Sequence, residues 1–407
     1  MRYAGAESYG AVCLGGRVSG GIDLVVDDFT DPPFTRQDML DRNYKPGTLR
    51  WAMHQPVAKR IVFARPGTVR LWAPIQIINP LESMNLTFNE TRQSVTIIGG
   101  IRLDVAGDIV WLNSRFRAAL WKNAYRPFTG GPQATGDSLH ISHPNNTLII
   151  NCEFSGGADE QLNIKAARGD STIQDCVFCE GFINGNFGQI WGDENGHNFG
   201  GIFTSAAEGV GSIAFIRNAW LSLAKRMPTE VYSLPSAPRP KRTVIVNNLF
   251  YNWAAFCGSC ESKEPTVLVG NHYQHGPNTP VSSLGYCSSA YIKDCAVKTP
   301  KGMFDVAVPN SAINPSIFKN YTAGNAPVTV LGTEVPSDVS AEIAITEPME
   351  RTASIESVLN NSGVFPLDNV SRSHRDAFRS ETGWQGANPL YASGALDDYL
   401  NWATATA

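Results

Sequence analysis

The chain has 407 residues, with 33 Lys and Arg against 37 Asp and Glu, so its formal charge is −4, and its 17% of charged residues falls below the usual figure of about 25%. With 43% hydrophobic and 10% aromatic residues it can bury a large core, which excludes a disordered chain, and the absence of a basic block excludes nucleic acid as the principal partner. No run of about 18 apolar residues is present to span a membrane, and residues 1–7 lack the apolar stretch of an export leader, so no signal peptide is expected.

At roughly 150 residues per domain the length predicts two or three domains, unless the chain is a barrel or a repeat. The elements favour a repeat. Arg60-Ile61-Val62-Phe63, Leu86-Thr87-Phe88, Val95-Thr96-Ile97-Ile98 and Ile109-Val110-Trp111-Leu112 read as strands. From there to about residue 275 a β-branched run followed by Asn or Cys, any residue, then an aromatic recurs. It reads Cys152-Glu153-Phe154, Cys176-Val177-Phe178, Asn218-Ala219-Trp220, Asn248-Leu249-Phe250 and Asn271-His272-Tyr273. The steps are 24, 42, 30 and 23 residues, a coil of 23 or 24 with loops inserted into the longer ones.

That period predicts an all-β fold, a parallel β-helix with long inserted loops, in which each coil supplies two or three strands. The Asn at each coil corner is expected to take the left-handed conformation and to bond the next Asn, with aromatic side chains stacked inside. A β-sandwich would not repeat a three-residue signature at coil length. Past residue 300 the sequence turns Pro-, Asn-, Thr- and Ser-rich and reads as irregular structure folded back on the solenoid. Short helices are expected at 341–344 and 354–359, then a Pro366-Leu367-Asp368 turn and a polar Ser373-His374-Arg375-Asp376 run. The expected division is residues 1–300 for the β-helix and 301–407 for a C-terminal extension packed on it.

Of eight cysteines, four form the pairs Cys176/Cys179 and Cys257/Cys260, whose starts lie 81 positions apart. A zinc site wants such pairs about 15 to 20 residues apart. Packed free thiols, or disulfides in an exported protein, fit better.

Residues that can carry chemistry concentrate on consecutive coils. Asp137 precedes one rung, and Asp159, Gln161, Asn163 and Lys165 alternate along the next, so they share a strand face while Glu160 points away. Two carboxylates and an amide carbonyl are hard oxygen ligands suited to Ca²⁺, with water or substrate completing six to eight ligands. A solvated strand face would present the same residues. Lys225-Arg226 is a basic pair at a coil corner, fit for a polyanion or for solvent alone.

In order along nearly the whole chain stand Ala6-Glu7-Ser8-Tyr9-Gly10-Ala11, Gly15-Gly16-Arg17, Pro46-Gly47-Thr48-Leu49-Arg50, Gly67-Thr68-Val69-Arg70-Leu71, Gly136-Asp137-Ser138-Leu139, Cys152-Glu153-Phe154-Ser155, His197-Asn198-Phe199-Gly200-Gly201 and Arg226-Met227-Pro228. In this series the chain resembles the bacterial pectate lyases, polysaccharide lyases with a right-handed parallel β-helix. The resemblance implies Arg226 as Brønsted base within an Arg-x-Pro motif, Asp137, Asp159 and Asn163 as Ca²⁺ ligands, and Lys165 as a substrate-binding residue, with Lys225 and His197 beside the substrate. It implies β-elimination on polygalacturonate: Ca²⁺ and basic groups neutralise the uronate carboxylate, Arg226 removes the C5 proton, and the C4 oxygen departs to leave a 4,5-unsaturated end. Because an arginine is ordinarily always protonated, the resemblance further implies an alkaline optimum and inhibition by chelators. The sequence departs from the family pattern at Thr135, Asn163 and Val231, and no residue matches the catalytic lysine on the coil before Arg226.

The implied partner is an acidic polysaccharide, with a monomeric enzyme that is extracellular or virion-associated and involves neither membrane nor nucleic acid. Alternatives of other classes are a weakly active or non-catalytic polysaccharide-binding β-helix, such as an adhesin or virion surface protein, and a lyase for another uronate or for methyl-esterified pectin. A glycoside hydrolase would need two carboxylates in acid and base roles, and the adjacent Asp159 and Glu160 point to opposite faces of a strand.

Overall fold

The computed structural model describes residues 5–78, 84–104, 107–117, 137–157, 159–179, 199–223, 225–228, 238–253, 257–258, 260–279, 287, 289–300, 302–305, 319–320, 326–327, 329–342 and 351–382. Among them the chain winds as a parallel β-helix with three long sheets. One coil shows the plan: Leu139–Ser142 joins a five-stranded sheet, Thr147–Ile150 an eleven-stranded one, and Glu153–Ser155 a ten-stranded one. Like strands of successive coils pair in parallel, as in Leu139↔Leu162, Thr147↔Ser171 and Glu153↔Val177. Short runs separated by turn residues suffice, because most strands of the coils need only three to five residues before the chain turns a corner, with Glu160–Ala167 and Phe199–Ser205 longer.

The recurring signature is the spine of the interior. Phe154 stacks on Phe116 at 5.3 Å and on Phe178 at 5.1 Å, Phe178 on Trp220 at 3.9 Å, and Phe250 on Tyr273 at 4.7 Å. Two positions before each aromatic runs a polar ladder. The Cys176, Asn218 and Asn248 amides donate to the side chains of Asn218, Asn248 and Asn271 at 2.8–2.9 Å. Asn218 also donates its Nδ2 to Ile173 O, and Asn248 its Nδ2 to Phe215 O, both at 2.9 Å. Buried amides are tolerated here because every rung satisfies its neighbour. The left-handed residue is not the ladder residue, as the sequence reading had it, but the one before: Asn151, Asp175, Arg217 and Asn247 have φ between 50° and 54°. The turn must be made before the ladder side chain can point inward.

All eight cysteines are buried and free. Cys152 and Cys176 are ladder rungs, with the Cys152 amide donating to Cys176 Sγ at 3.4 Å. Burial pushes the thiols of Cys13, Cys176 and Cys257 well up.

The division expected at residue 300 does not coincide with a sheet boundary. Gly302–Asp305 pairs antiparallel with Ala296–Thr299, and Thr329–Gly332 extends the eleven-stranded sheet. Helices Ser337–Glu342 and Arg351–Asn361 occupy the regions where short helices were expected. The polar run at 373–376 is helical, inside Asn369–Arg379, whose N-cap Asp368 accepts from the Ser371 amide at 2.9 Å. This helix buries Val370, Ser371, His374, Arg375 and Phe378 against the solenoid. Arg117 donates to Glu153 at 2.7 Å and to both Asp368 oxygens at 2.9 and 3.0 Å, while Arg375 caps the carbonyls of Leu359, Ser371 and Ser362 at 2.7–3.0 Å. Burial raises the Glu153 carboxyl, but Arg115, Arg117 and Arg375 outweigh it and hold the group down to about 2.

Candidate active site

The five-stranded sheet carries the candidate site at the edge where its strands begin. Asp137 precedes Leu139–Ser142, Glu160 opens Glu160–Ala167, Phe199 opens Phe199–Ser205, and Lys225 bridges Phe199 on the next coil. Backbone bonds lock these coils together: Ser138 N donates to Glu160 O at 3.1 Å, Phe199 N to Asp159 O at 3.2 Å, Gly200 N to Lys225 O at 3.0 Å, and Gly201 N to Arg226 O at 2.7 Å. At about 4.8 Å per strand the sequence-distant residues line up along one edge. Gly200 is needed for this approach, since a Cβ there would fall 2.3 Å from Arg226 O.

Asp137, Asp159 and Glu160 present carboxylate oxygens that all lie within 4.8 Å of one another. Their side chains are 10%, 40% and 3% exposed, so the cluster is anchored in the protein and opens to solvent at Asp159. Asp137 is oriented twice, accepting from Glu160 N at 3.1 Å through Oδ1 and meeting His140 Nδ1 at 2.8 Å through Oδ2. His140 Nε2 in turn meets Ser142 Oγ at 2.9 Å. Arg226 supplies the facing cation. Its guanidinium pairs with Glu160, lies 3.9 Å from Asp159 Oδ1, and sits 4.0 Å above the Phe199 ring. Lys225 Nζ lies 4.4 Å from the same ring. Arg226 has φ +62°, a left-handed conformation that a non-glycine residue holds at a cost of about 1–3 kcal/mol and that clusters at functional sites.

The donor set fits a hard divalent cation. Oxygens on opposite sides of one Ca²⁺ lie up to about 5 Å apart, which matches a cluster of carboxylates with this spread.

The expected residues are not all brought together. Asp137, Asp159, Lys225 and Arg226 meet at the edge. Asn163 lies three residues beyond Glu160 in an extended strand, ~10 Å away and on the opposite face. Its position is in the outward row Gln76, Arg102, His140, Asn163 and Ile202, where its Oδ1 is buried with no hydrogen-bond partner among the described residues. Lys165 is exposed two residues farther on, across from Ser142. Gln161 is fully buried, its Oε1 accepting from Gly157 N at 3.0 Å. His197, Thr135 and Val231 lie outside the described residues.

Glu160 and His140 were missed. Strand alternation turned Glu160 away from Asp159, but Asp159 sits in the bend before the strand, where alternation does not apply, and both carboxylates reach the same point. His140 was legible as Asp137-x-x-His140, a spacing without meaning until the bend folds it.

No protein-family model matches the chain, and no curated protein matches it by sequence. Solved structures do match. Jun a 1, the major allergen from cedar pollen, is 14% identical with a TM-score of 0.55, covering 88% of this chain and 92% of that one. The thermostable pectate lyase PL 47 is 15% identical with a TM-score of 0.51, covering 90% of this chain and 99% of that one. The protein has the right-handed parallel β-helix fold of the pectate lyases.

Proposed function

We propose that the protein is a polysaccharide lyase of pectate-lyase type, which cleaves polygalacturonate by β-elimination. The observation that carries this reading is the meeting of Asp137, Asp159 and Glu160 with Arg226 along one edge of the five-stranded sheet. Asp137, Asp159 and Glu160 would hold Ca²⁺, which when bound neutralises a uronate carboxylate and so acidifies the proton at C5. Arg226 takes that proton, its electrons form the C4–C5 double bond, and the C4 oxygen leaves with a proton from water. His140 keeps Asp137 oriented toward the cluster. Phe199 supports both Arg226 and Lys225, and Lys225 offers a cation to a neighbouring carboxylate of the polymer. Lys165, exposed on the same strand as Glu160, serves saccharide groups farther along the sheet face. Fixed charges of this kind, aimed where negative charge develops, supply most of the acceleration.

Such a substrate is met outside the producing cell, so action in the extracellular space is part of the proposal. Among the described residues no helix is long and apolar enough to cross a membrane. The test is ultraviolet absorbance of the unsaturated product from polygalacturonate at alkaline pH, with Ca²⁺ or with chelator, for the wild type and Arg226→Ala. Absorbance that needs both Ca²⁺ and Arg226 supports the reading; new reducing ends without absorbance would replace it with hydrolysis.

A second reading, a polysaccharide-binding β-helix without catalysis, is favoured by one observation. The Arg226 side chain is only 12% exposed and is turned toward Glu160. Retention of the protein in a polygalacturonate gel without any product would select it.

A further inference from the structure

The lyase reading leaves Glu160 with two claims on one carboxylate. Its side chain pairs with the Arg226 guanidinium, and its oxygens stand within reach of Asp137 and Asp159 as part of the candidate cation cluster. A carboxylate has about four lone-pair sites on two oxygens. The guanidinium pairs with Oε1, so a hard cation coordinated through that oxygen at about 2.3–2.6 Å competes with Arg226 for it.

The surroundings decide which partner can move. Glu160 cannot, because its amide is tied to Asp137 and its carbonyl to the Ser138 amide, and its side chain is 3% exposed. The Arg226 backbone cannot either, with its carbonyl bonded to Gly201 N and packed against Gly200. The Arg226 side chain can, since the flat Phe199 ring at 4.0 Å supports a guanidinium without fixing its direction in the plane. The neighbouring Lys225 Nζ also lies over this ring, 4.4 Å from its centre.

We infer that Glu160 is a positioning residue shared between Arg226 and a divalent cation. Without the cation it holds the guanidinium down on the carboxylates. When Glu160 takes a cation it releases Arg226, which slides over Phe199 toward the solvent side of Asp159, where a saccharide would lie. The arginine is thus the cluster's own stand-in cation, and its release is coupled to cation binding. This inference rests on the cation site of the proposed function.

The experiment is calorimetric titration of the full chain with CaCl₂ alone, for wild type, Arg226→Gln, Lys225→Gln and Glu160→Gln, all checked for an unchanged far-ultraviolet circular dichroism spectrum. Arg226→Gln is expected to bind Ca²⁺ about tenfold more tightly than wild type. Lys225→Gln removes the same charge from the same ring and is expected to change affinity less than about threefold. Glu160→Gln is expected to bind about tenfold or more weakly. On the unaltered protein, the rate at which phenylglyoxal modifies Arg226, read by mass spectrometry, should rise with Ca²⁺ at the midpoint of the binding curve. Equal shifts in Arg226→Gln and Lys225→Gln, or modification of Arg226 that falls with Ca²⁺, would overturn the coupling and leave the cation site standing. Absence of Ca²⁺ binding in every protein, including Arg226→Gln, would overturn both.

Discussion

Two ionic clusters in this molecule use the same side chains to opposite ends. Under the C-terminal helix, Arg115, Arg117 and Arg375 meet Glu153 and Asp368, all essentially sealed from solvent. At the sheet edge, Asp137, Asp159 and Glu160 meet Arg226, with Asp159 40% exposed. The sealed cluster has surplus positive charge, and backbone carbonyls complete it: Arg115 donates to Val364 O at 2.6 Å, and Arg375 to Leu359 O at 2.8 Å and Ser362 O at 2.7 Å. The edge cluster has surplus negative charge and an opening. Surplus charge closed off by carbonyls makes a structural latch, while surplus carboxylate facing solvent is a group that could hold a cation.

If that contrast is right, the largest effect on stability comes from the sealed cluster. Glu153→Gln leaves three buried arginines short of a counter-charge and should cost about 3–5 kcal/mol in denaturant unfolding. A loss below about 1 kcal/mol would show that the latch does not hold the helix. Acid should act on the same place. Burial, followed by the charges of Arg117 and Arg375, pushes the His374 imidazole down to about 3, so it is neutral in the fold. Its folded value lies below its unfolded value of about 6.5, so its stabilising contribution is complete above that pH and is lost as pH falls toward about 3. Glu153, held at about 2, adds a loss that begins near its unfolded value of about 4.5. Thermal melts from pH 7 to 3 should therefore show a melting temperature that falls throughout, and a flat profile would remove the latch's electrostatic role.

The edge cluster should respond in the other direction. Asp159→Asn should leave unfolding stability within about 0.5 kcal/mol, as for most exposed positions, while weakening Ca²⁺ binding in titration calorimetry. A variant that unfolds instead would mean that this cluster too is structural. The smallest effect is expected at Lys165, exposed and distant from the cluster: Lys165→Gln should raise KM for polygalacturonate a few-fold with kcat unchanged, the signature of uniform binding.

The two clusters also show what the sequence made legible. The solenoid was readable because Cys152, Cys176, Asn218, Asn248 and Asn271 each precede an aromatic by two residues, and stacking demands that repetition. Asp137, Asp159 and Arg226 stood out because surplus polar residues gathered on consecutive coils and within family-like motifs. The latch was invisible because its contacts span the chain, Glu153 reaching Ser371 and Arg117 reaching Asp368. The apolar periodicity of helix Asn369–Arg379 is interrupted by the buried His374 and Arg375, and Arg375 is buried through hydrogen bonds and an ion pair rather than hydropathy. Glu160 was separated from Asp159 because alternation was extended one residue before the start of the strand into the bend at Asp159.

In the proposed function the edge cluster is catalytic. The direct measurement is the rate at which unsaturated product forms from polygalacturonate at alkaline pH, with Ca²⁺ present and then removed by chelator, in wild type and in Arg226→Ala. A catalytic edge cluster should give product that disappears with chelator and a rate about 10²–10⁴-fold lower in the variant, the contribution expected of a general base. Formation of no unsaturated product from any uronate polymer, or an equal rate in Arg226→Ala, would contradict it.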